Sequence, residues 1–160
     1  ILYSYLFYKK KIAAGEKLKI QYNKKTIVIY VIVSVFVVIF TIWTLFWGGI
    51  DISFHDNDFT VEAQGWSDYT VGYEQIDSIS YKENLFQNGN DCRTNGMGNL
   101  KYGMGNFRND IYGDYIRYTH ASCHSYVVMD IGGKILVVNG ADDSETKKIY
   151  DILREKCQMN

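Results

Sequence analysis

The sequence predicts a mainly β protein of α+β class on a membrane anchor: one transmembrane helix, then a small, strongly bent antiparallel barrel of about seven strands closed by one C-terminal helix. Three observations predict it. A charge-free apolar run extends from Thr26 to Trp47, apolar and polar residues alternate with a period of two beyond Gly48-Gly49, and a capped amphipathic segment follows Asp142.

Residues 1–25 open with ILYSYLFY, which reads as the end of a preceding span, and run into Lys9-Lys10-Lys11 and a basic loop. A secretory leader would carry its basic residues before the apolar run, and here they follow it. These 25 residues hold seven lysines and one glutamate, whereas residues 49–160 hold ten Lys and Arg against seventeen Asp and Glu. The formal net charge of −1 hides this asymmetry. An acidic globular part lacks the clustered cations that displace counterions from phosphates, which argues against a nucleic-acid partner.

The run TIVIYVIVSVFVVIFTIWTLFW, as a helix, is about 30 Å long or slightly more, enough to cross the hydrocarbon core of a bilayer. Residues 26–48 are therefore expected to take the lipid bilayer as their partner. Lys24 and Lys25 bound the run on one side, and Trp43 and Trp47 stand on the other where an interfacial aromatic belt would lie. Short lysine-rich loops stay in the cytoplasm, so the acidic C-terminal domain is expected on the extracytoplasmic side of the cell membrane.

Beyond the span, IDISFHDNDFTVEA reads as a hairpin turning at His55-Asp56-Asn57-Asp58. YTVGY and QIDSISYK form a second pair. DYIRYTHA, SYVVMDI and KILVVNG follow as strands, the last two joined by a tight Gly132-Gly133 turn. Asp142 stands three residues before Glu145 in a capping-box arrangement, and Ile149, Ile152, Leu153 and Cys157 recur at helical spacing. A helix packed over the end of such a sheet would protect its open edges.

Residues 50–157 resemble the bacterial pleckstrin-homology (PH) domains found on membrane proteins. The resemblance rests on YEQIDSI (Tyr73–Ile79), RTNGMG (Arg93–Gly98), GNF (Gly105–Phe107), IYGDYIRY (Ile111–Tyr118) and SYVVMDIGGKILVVN before the final helix. Gly72 stands where such sequences often carry proline. The resemblance implies a PH-like barrel and a binding or scaffolding role, and it implies no established chemistry.

The stretch RTNGMGNLKYGMGNF is the first candidate site. It lacks the Gly-Lys-Ser/Thr that a phosphate-binding P-loop needs, and Lys101 and Arg108 occupy the positions where a dinucleotide fingerprint needs its third glycine. The glycines are expected to let a long inter-strand connection fold back over the barrel. As a ligand-contacting loop it would use Arg93, Asn95, Gly96, Gly98, Lys101, Gly105 and Arg108. With Arg117 these cations would make an anion site, which the interleaved Asp91, Asp110 and Asp114 oppose.

The second candidate is THASCHS, where His120, Cys123 and His124 have the atom types that bind zinc or copper but lack an evident fourth ligand. The competing reading is a hairpin with exposed imidazoles. Cys92, Cys123 and Cys157 make neither a CxxC pair nor an even disulfide set. A Ser122 or Cys123 nucleophile with a histidine base would sit on one hairpin with no evident oxyanion hole. The expected function is a non-enzymatic, membrane-anchored PH-like module with no cofactor and an unknown protein or envelope partner. The alternative is a small membrane-bound metal-dependent hydrolase or metal sensor using His120, Cys123 and His124.

Overall fold

A computed structural model of the chain describes residues 23–86 and 91–157. The expected end of a preceding span and most of the basic loop lie outside the described residues. The chain divides into two units between Thr41 and Ile42, so the last residues of the first helix belong with the β domain.

Helix α1 covers Lys24–Phe46 and buries none of its residues. Its 23 residues rise about 34 Å, long and apolar enough to cross a membrane. The start is capped by Asn23, whose side-chain oxygen accepts the Lys25 N–H at 3.1 Å. Thr41, a polar residue inside the apolar run, gives its hydroxyl hydrogen to the Val37 carbonyl at 2.8 Å. That bond satisfies it without water.

The C-terminal domain contains nine strands in two sheets, where about seven strands in one closed barrel were expected. The first sheet is an antiparallel meander of β1 (Gly49–Phe54), β2 (Asp58–Gln64) and β3 (Tyr69–Gly72). His55-Asp56-Asn57 turns β1 into β2, with the His55 N–H donating to the Asp58 carbonyl at 2.9 Å. A single 3-10 turn, Tyr73–Gln75, leads into β4 (Ile76–Glu83) and the second sheet. That sheet also holds β5 (Cys92–Gly98), β6 (Tyr102–Asn109), β7 (Gly113–His120), β8 (Ser125–Ile131) and β9 (Lys134–Val138), in the order β4-β8-β9-β7-β6-β5. Strands β3 and β4, expected to pair with each other, instead pair with β2 and β8.

The Gly132-Gly133 turn forms as expected, with φ of +59° and +83°, the left-handed pair that a two-residue hairpin demands. It sends β9 back between β8 and β7. The β7–β9 pair is therefore parallel, the exception in an otherwise antiparallel sheet. The barrel does not close because β1 has only β2 as a ladder partner.

Both faces of the second sheet are buried near its centre. Val127, Met129, Leu136 and Val138 face one way and join Phe59, Val61 and Val71 of the first sheet in the main core. Tyr126, Val128 and Val137 face the other way and meet Phe107, Tyr115, Leu85 and Phe86. Helix α2 (Asp143–Lys156) packs on β4 and β8 and buries Thr146, Ile149 and Leu153. Asp142 caps it by accepting the Glu145 N–H at 2.8 Å, while the Glu145 carboxylate reaches back to the Ala141 N–H at 2.6 Å.

The glycine-rich stretch, expected to be a connection folded over the barrel, is the β5–β6 hairpin. Read outward from its centre, NGMGN-LK-YGMGN is nearly palindromic, and antiparallel pairing sets Asn95 opposite Asn106, Gly96 opposite Gly105, Met97 opposite Met104 and Gly98 opposite Gly103. Gly96 and Gly105 have φ of +149° and +116°, and a Cβ on Gly96 would lie 2.0 Å from the Met104 carbonyl oxygen. Two backbones approach here as no side chain permits. Gly96→Ala is accordingly expected to destabilise the domain by at least about 2 kcal/mol in denaturant unfolding. Gly132→Asn, at an open left-handed position with nothing within 4 Å, should cost much less.

Candidate functional site

The hairpin separates the residues expected to share a ligand. Lys101 sits in its two-residue tip and Arg108 near the other end of β6, seven residues and about 24 Å away along the strand. Arg93 and Asn95 are exposed on β5, the edge strand of the sheet. Gly96, Gly98 and Gly105 support the backbone between them. These seven residues do not converge on one ligand.

The charges expected to oppose an anion site do so by direct pairing. Arg108 holds Asp114 across the β6–β7 ladder with two parallel bonds, Nε to Oδ1 at 2.7 Å and Nη2 to Oδ2 at 2.6 Å. Those bonds hold the Asp114 carboxyl below the usual carboxylate range. Both side chains are exposed, so the pair orients more than it stabilises.

Arg117 lies on the opposite face, largely buried, with Nη1 2.5 Å from Asp91 and Nε donating to Thr119 at 2.7 Å. Its guanidinium stands 4.4 Å from the Phe86 ring centre and 4.8 Å from that of Phe107. Asp91 also accepts the Tyr115 hydroxyl, and burial, together with that carboxylate, pushes the Tyr115 phenol up. The spacing of charges in the sequence did not reveal this aromatic cage.

What the exposed pair does border is a groove of about 500 Å³ over β6, β7 and β9. Ile116 and Ile135 supply apolar lining, Thr94 and Asn106 hydrogen-bonding groups, and Arg108, Asp114 and Lys134 charge. Of the expected ligand-contacting residues only Arg108 lines it. A β-bulge between Arg93 and Asn95 brings Thr94 there, where its hydroxyl donates to the Asn106 carbonyl at 3.2 Å.

The THASCHS turn does not assemble a metal centre: among the described residues no three His, Cys, Asp or Glu side chains group to hold an ion. Cys123 is buried, its sulfur 3.3 Å from the Thr146 hydroxyl and 3.5 Å from both the Ser125 carbonyl and Asp143. Burial pushes its thiol up, against formation of a nucleophilic thiolate. His124 is exposed, while half-buried His120 packs edge-on against Tyr102 at 5.2 Å. Asn139, which the sequence did not single out, closes this turn. Its Oδ1 accepts the His120 N–H at 2.7 Å, and its Nδ2 donates to the carbonyls of His120 at 3.2 Å and Cys123 at 3.3 Å.

His120 also borders a smaller cleft of about 200 Å³, where Ile50, Ile52 and Phe54 of β1 face Glu145, Lys148 and Ile152 of α2. Comparison with protein-family models, with curated proteins and with solved structures gives no match. The functional reading therefore rests on this chain's own geometry.

Burial lowers the His120 pKa below its ordinary 6.5, against the opposing pull of Glu145 and a hydrogen bond to the Ile50 backbone. Below pH 6.5 the unfolded chain takes up this proton more readily than the folded one, so stability present above that pH is lost as the pH falls toward the folded-state value. Urea midpoints measured on either side of pH 6.5 should show this slope, and His120→Gln should flatten it. The carboxylates contribute only at lower pH.

Proposed function

We propose that the chain is a membrane-anchored, PH-like binding or scaffolding module without enzymatic activity, and that it acts through a protein partner at the β6–β7–β9 groove. The observation that carries this reading is the groove itself. At about 500 Å³ it falls within the range of sites that hold a ligand or a partner's side chains, and it offers apolar lining, both signs of charge and free access. The PH-like part is supported by a small antiparallel sheet sharing a core with a larger one, and by a C-terminal helix packed on β4 and β8. A non-enzymatic role is supported by the occupation of Cys123, Asn139 and Arg117 in structural hydrogen bonds.

The anchor is supported by the length of α1 and by its lack of any buried residue. A helix apolar on every side has no stable place in water, and the described chain offers it no protein cover. The seven lysines before the span favour an extracytoplasmic β domain.

A photo-cross-linking residue placed at Lys134 in intact membranes should yield a discrete protein adduct that Arg108→Glu abolishes. The same residue at Glu155, on the exposed face of α2, should not. Equal adduct patterns from the two positions would remove the groove from consideration.

Topology is checked separately, with a single cysteine introduced by Asn57→Cys in the exposed β1–β2 turn and the native cysteines replaced. A membrane-impermeant maleimide should label it in intact cells. Labelling only after lysis would place the domain in the cytoplasm.

A further inference from the structure

The β5–β6 tip carries a feature that the groove does not use. Two-residue hairpin turns favour Asn, Asp and Gly, which accept left-handed backbone and water, yet this tip is Leu100-Lys101. Leu100 is 63% exposed. Apart from α1, the exposed large hydrophobic residues among those described are Trp47, Leu100 and Ile111. A lone exposed leucine needs no cover, but this one adjoins the exposed Trp47 through Asn99, so the apolar surface is shared.

The surroundings of the tip identify what meets that surface. The Asn99 side-chain amide donates to the Trp47 carbonyl at 2.5 Å, and the Lys101 ammonium stands 5.5 Å from the Phe46 ring centre. Behind the tip, Gly65 and Met97 pack so closely on Trp47 that a Cβ on Gly65 would lie 2.7 Å from its ring. Asn99 also ties the turn together, its Oδ1 accepting the N–H groups of Lys101 at 2.8 Å and Tyr102 at 3.0 Å. Phe46 and Trp47 end the charge-free run, and the rings of Trp43 and Trp47 lie 5.8 Å apart where an interfacial belt is expected. A turn bonded to Trp47 shares its depth, and Leu100 is one Cα step, about 3.8 Å, from Asn99.

We propose that the β5–β6 tip is a second membrane attachment, with Leu100 inserted at the headgroup–acyl boundary of the leaflet that holds Trp47 and Lys101 reaching the lipid phosphates. This rests on the reading of α1 as a span. The chemistry is that of an interfacial anchor, an apolar side chain in the acyl boundary beside a cation whose methylene stem lies along it. The partner is the bilayer surface, with anionic phosphate as the group met by Lys101. The near-palindromic pairing ties the tip into β5 and β6 and leaves the groove at the other end of β6 open to a protein partner.

The full chain, reconstituted in phosphatidylethanolamine–phosphatidylglycerol vesicles with native cysteines replaced, tests this through an environment-sensitive fluorophore on single cysteines. Leu100→Cys reports on the tip, and Ile111→Cys on an exposed apolar turn at the opposite end of β6. Val35→Cys reports on the middle of α1. The expected result is a blue-shifted emission at Leu100→Cys, quenched several-fold more by lipids brominated on the acyl chain than the emission at Ile111→Cys. Adding Asn99→Ala should reduce that quenching by releasing the tip from Trp47. If Leu100→Cys behaves as Ile111→Cys while Val35→Cys is quenched, the attachment is overturned and the span stands. If Val35→Cys is not quenched either, the span reading fails and the attachment falls with it.

Discussion

Strand β9 carries apolar side chains on both faces, and the rest of the domain follows from the need to bury both. Leu136, Val137 and Val138 are fully buried although they alternate in direction. A strand with this pattern must lie inside a sheet and have a layer on each side. Placing it between β8 and β7 meets the first demand, and the parallel β7–β9 pair is the topological consequence. The second demand is met by unlike layers. The three-stranded sheet and α2 cover Leu136 and Val138, while Phe86, Phe107, Tyr115 and Tyr126 surround Val137.

The aromatic layer encloses a charged pair. Arg117 and Asp91 are mostly withdrawn from water, a costly placement unless each ion is paired and its remaining donors and acceptors are met. Thr119, Tyr115 and the two phenyl faces meet them. Phe86 and Asp91, which precede and begin the approach to β5, are thereby held on the same side of the sheet as Tyr115. Losing either partner would strand a charge in the low-dielectric layer, so the two ions stand or fall together. The pairing also withdraws Arg117 from any surface role, which leaves Arg108 and Lys134 as the cations of the groove.

Seven of the nine strands were legible, from alternation or, in β8 and β9, from short apolar runs bounded by turn residues, and α2 from its cap and apolar spacing. The β5–β6 hairpin was not, because glycine and asparagine are poor strand formers and read as loop. Its signal lay in symmetry rather than composition, since a near-palindrome about Leu100-Lys101 lets antiparallel pairing set Gly96 against Gly105. The β7–β9 pairing had no local signal, as alternation reports which face is buried and is silent about the neighbour. At the candidate sites, proximity in sequence misled in both directions. His120, Cys123 and His124 are close along the chain, yet the end of β7, the turn and the start of β8 send them into three environments. Arg117 and Asp91 are 26 residues apart and form an ion pair.

The link between α1 and the β domain is short, with only Trp47 and Gly48 between the end of α1 and the start of β1. If α1 spans a bilayer, the domain cannot leave the surface, and its charge then matters. Residues 49–160 carry ten basic against seventeen acidic side chains, a net of −7, and where the adjoining leaflet carries anionic lipids each nearby charge feels about 1 kcal/mol. That field falls off over about 10 Å, so it acts on the parts nearest the membrane far more than on the total. The part tied to Trp47 is the turn bearing Lys101, whereas the Arg108–Asp114 pair, neutral as a unit, is about 24 Å away along β6. The same field would favour bringing Lys101 to the lipid and would oppose the acidic side chains that also stand near the start of β1, where Asp51, Glu62 and Asp68 line one groove with Gly49.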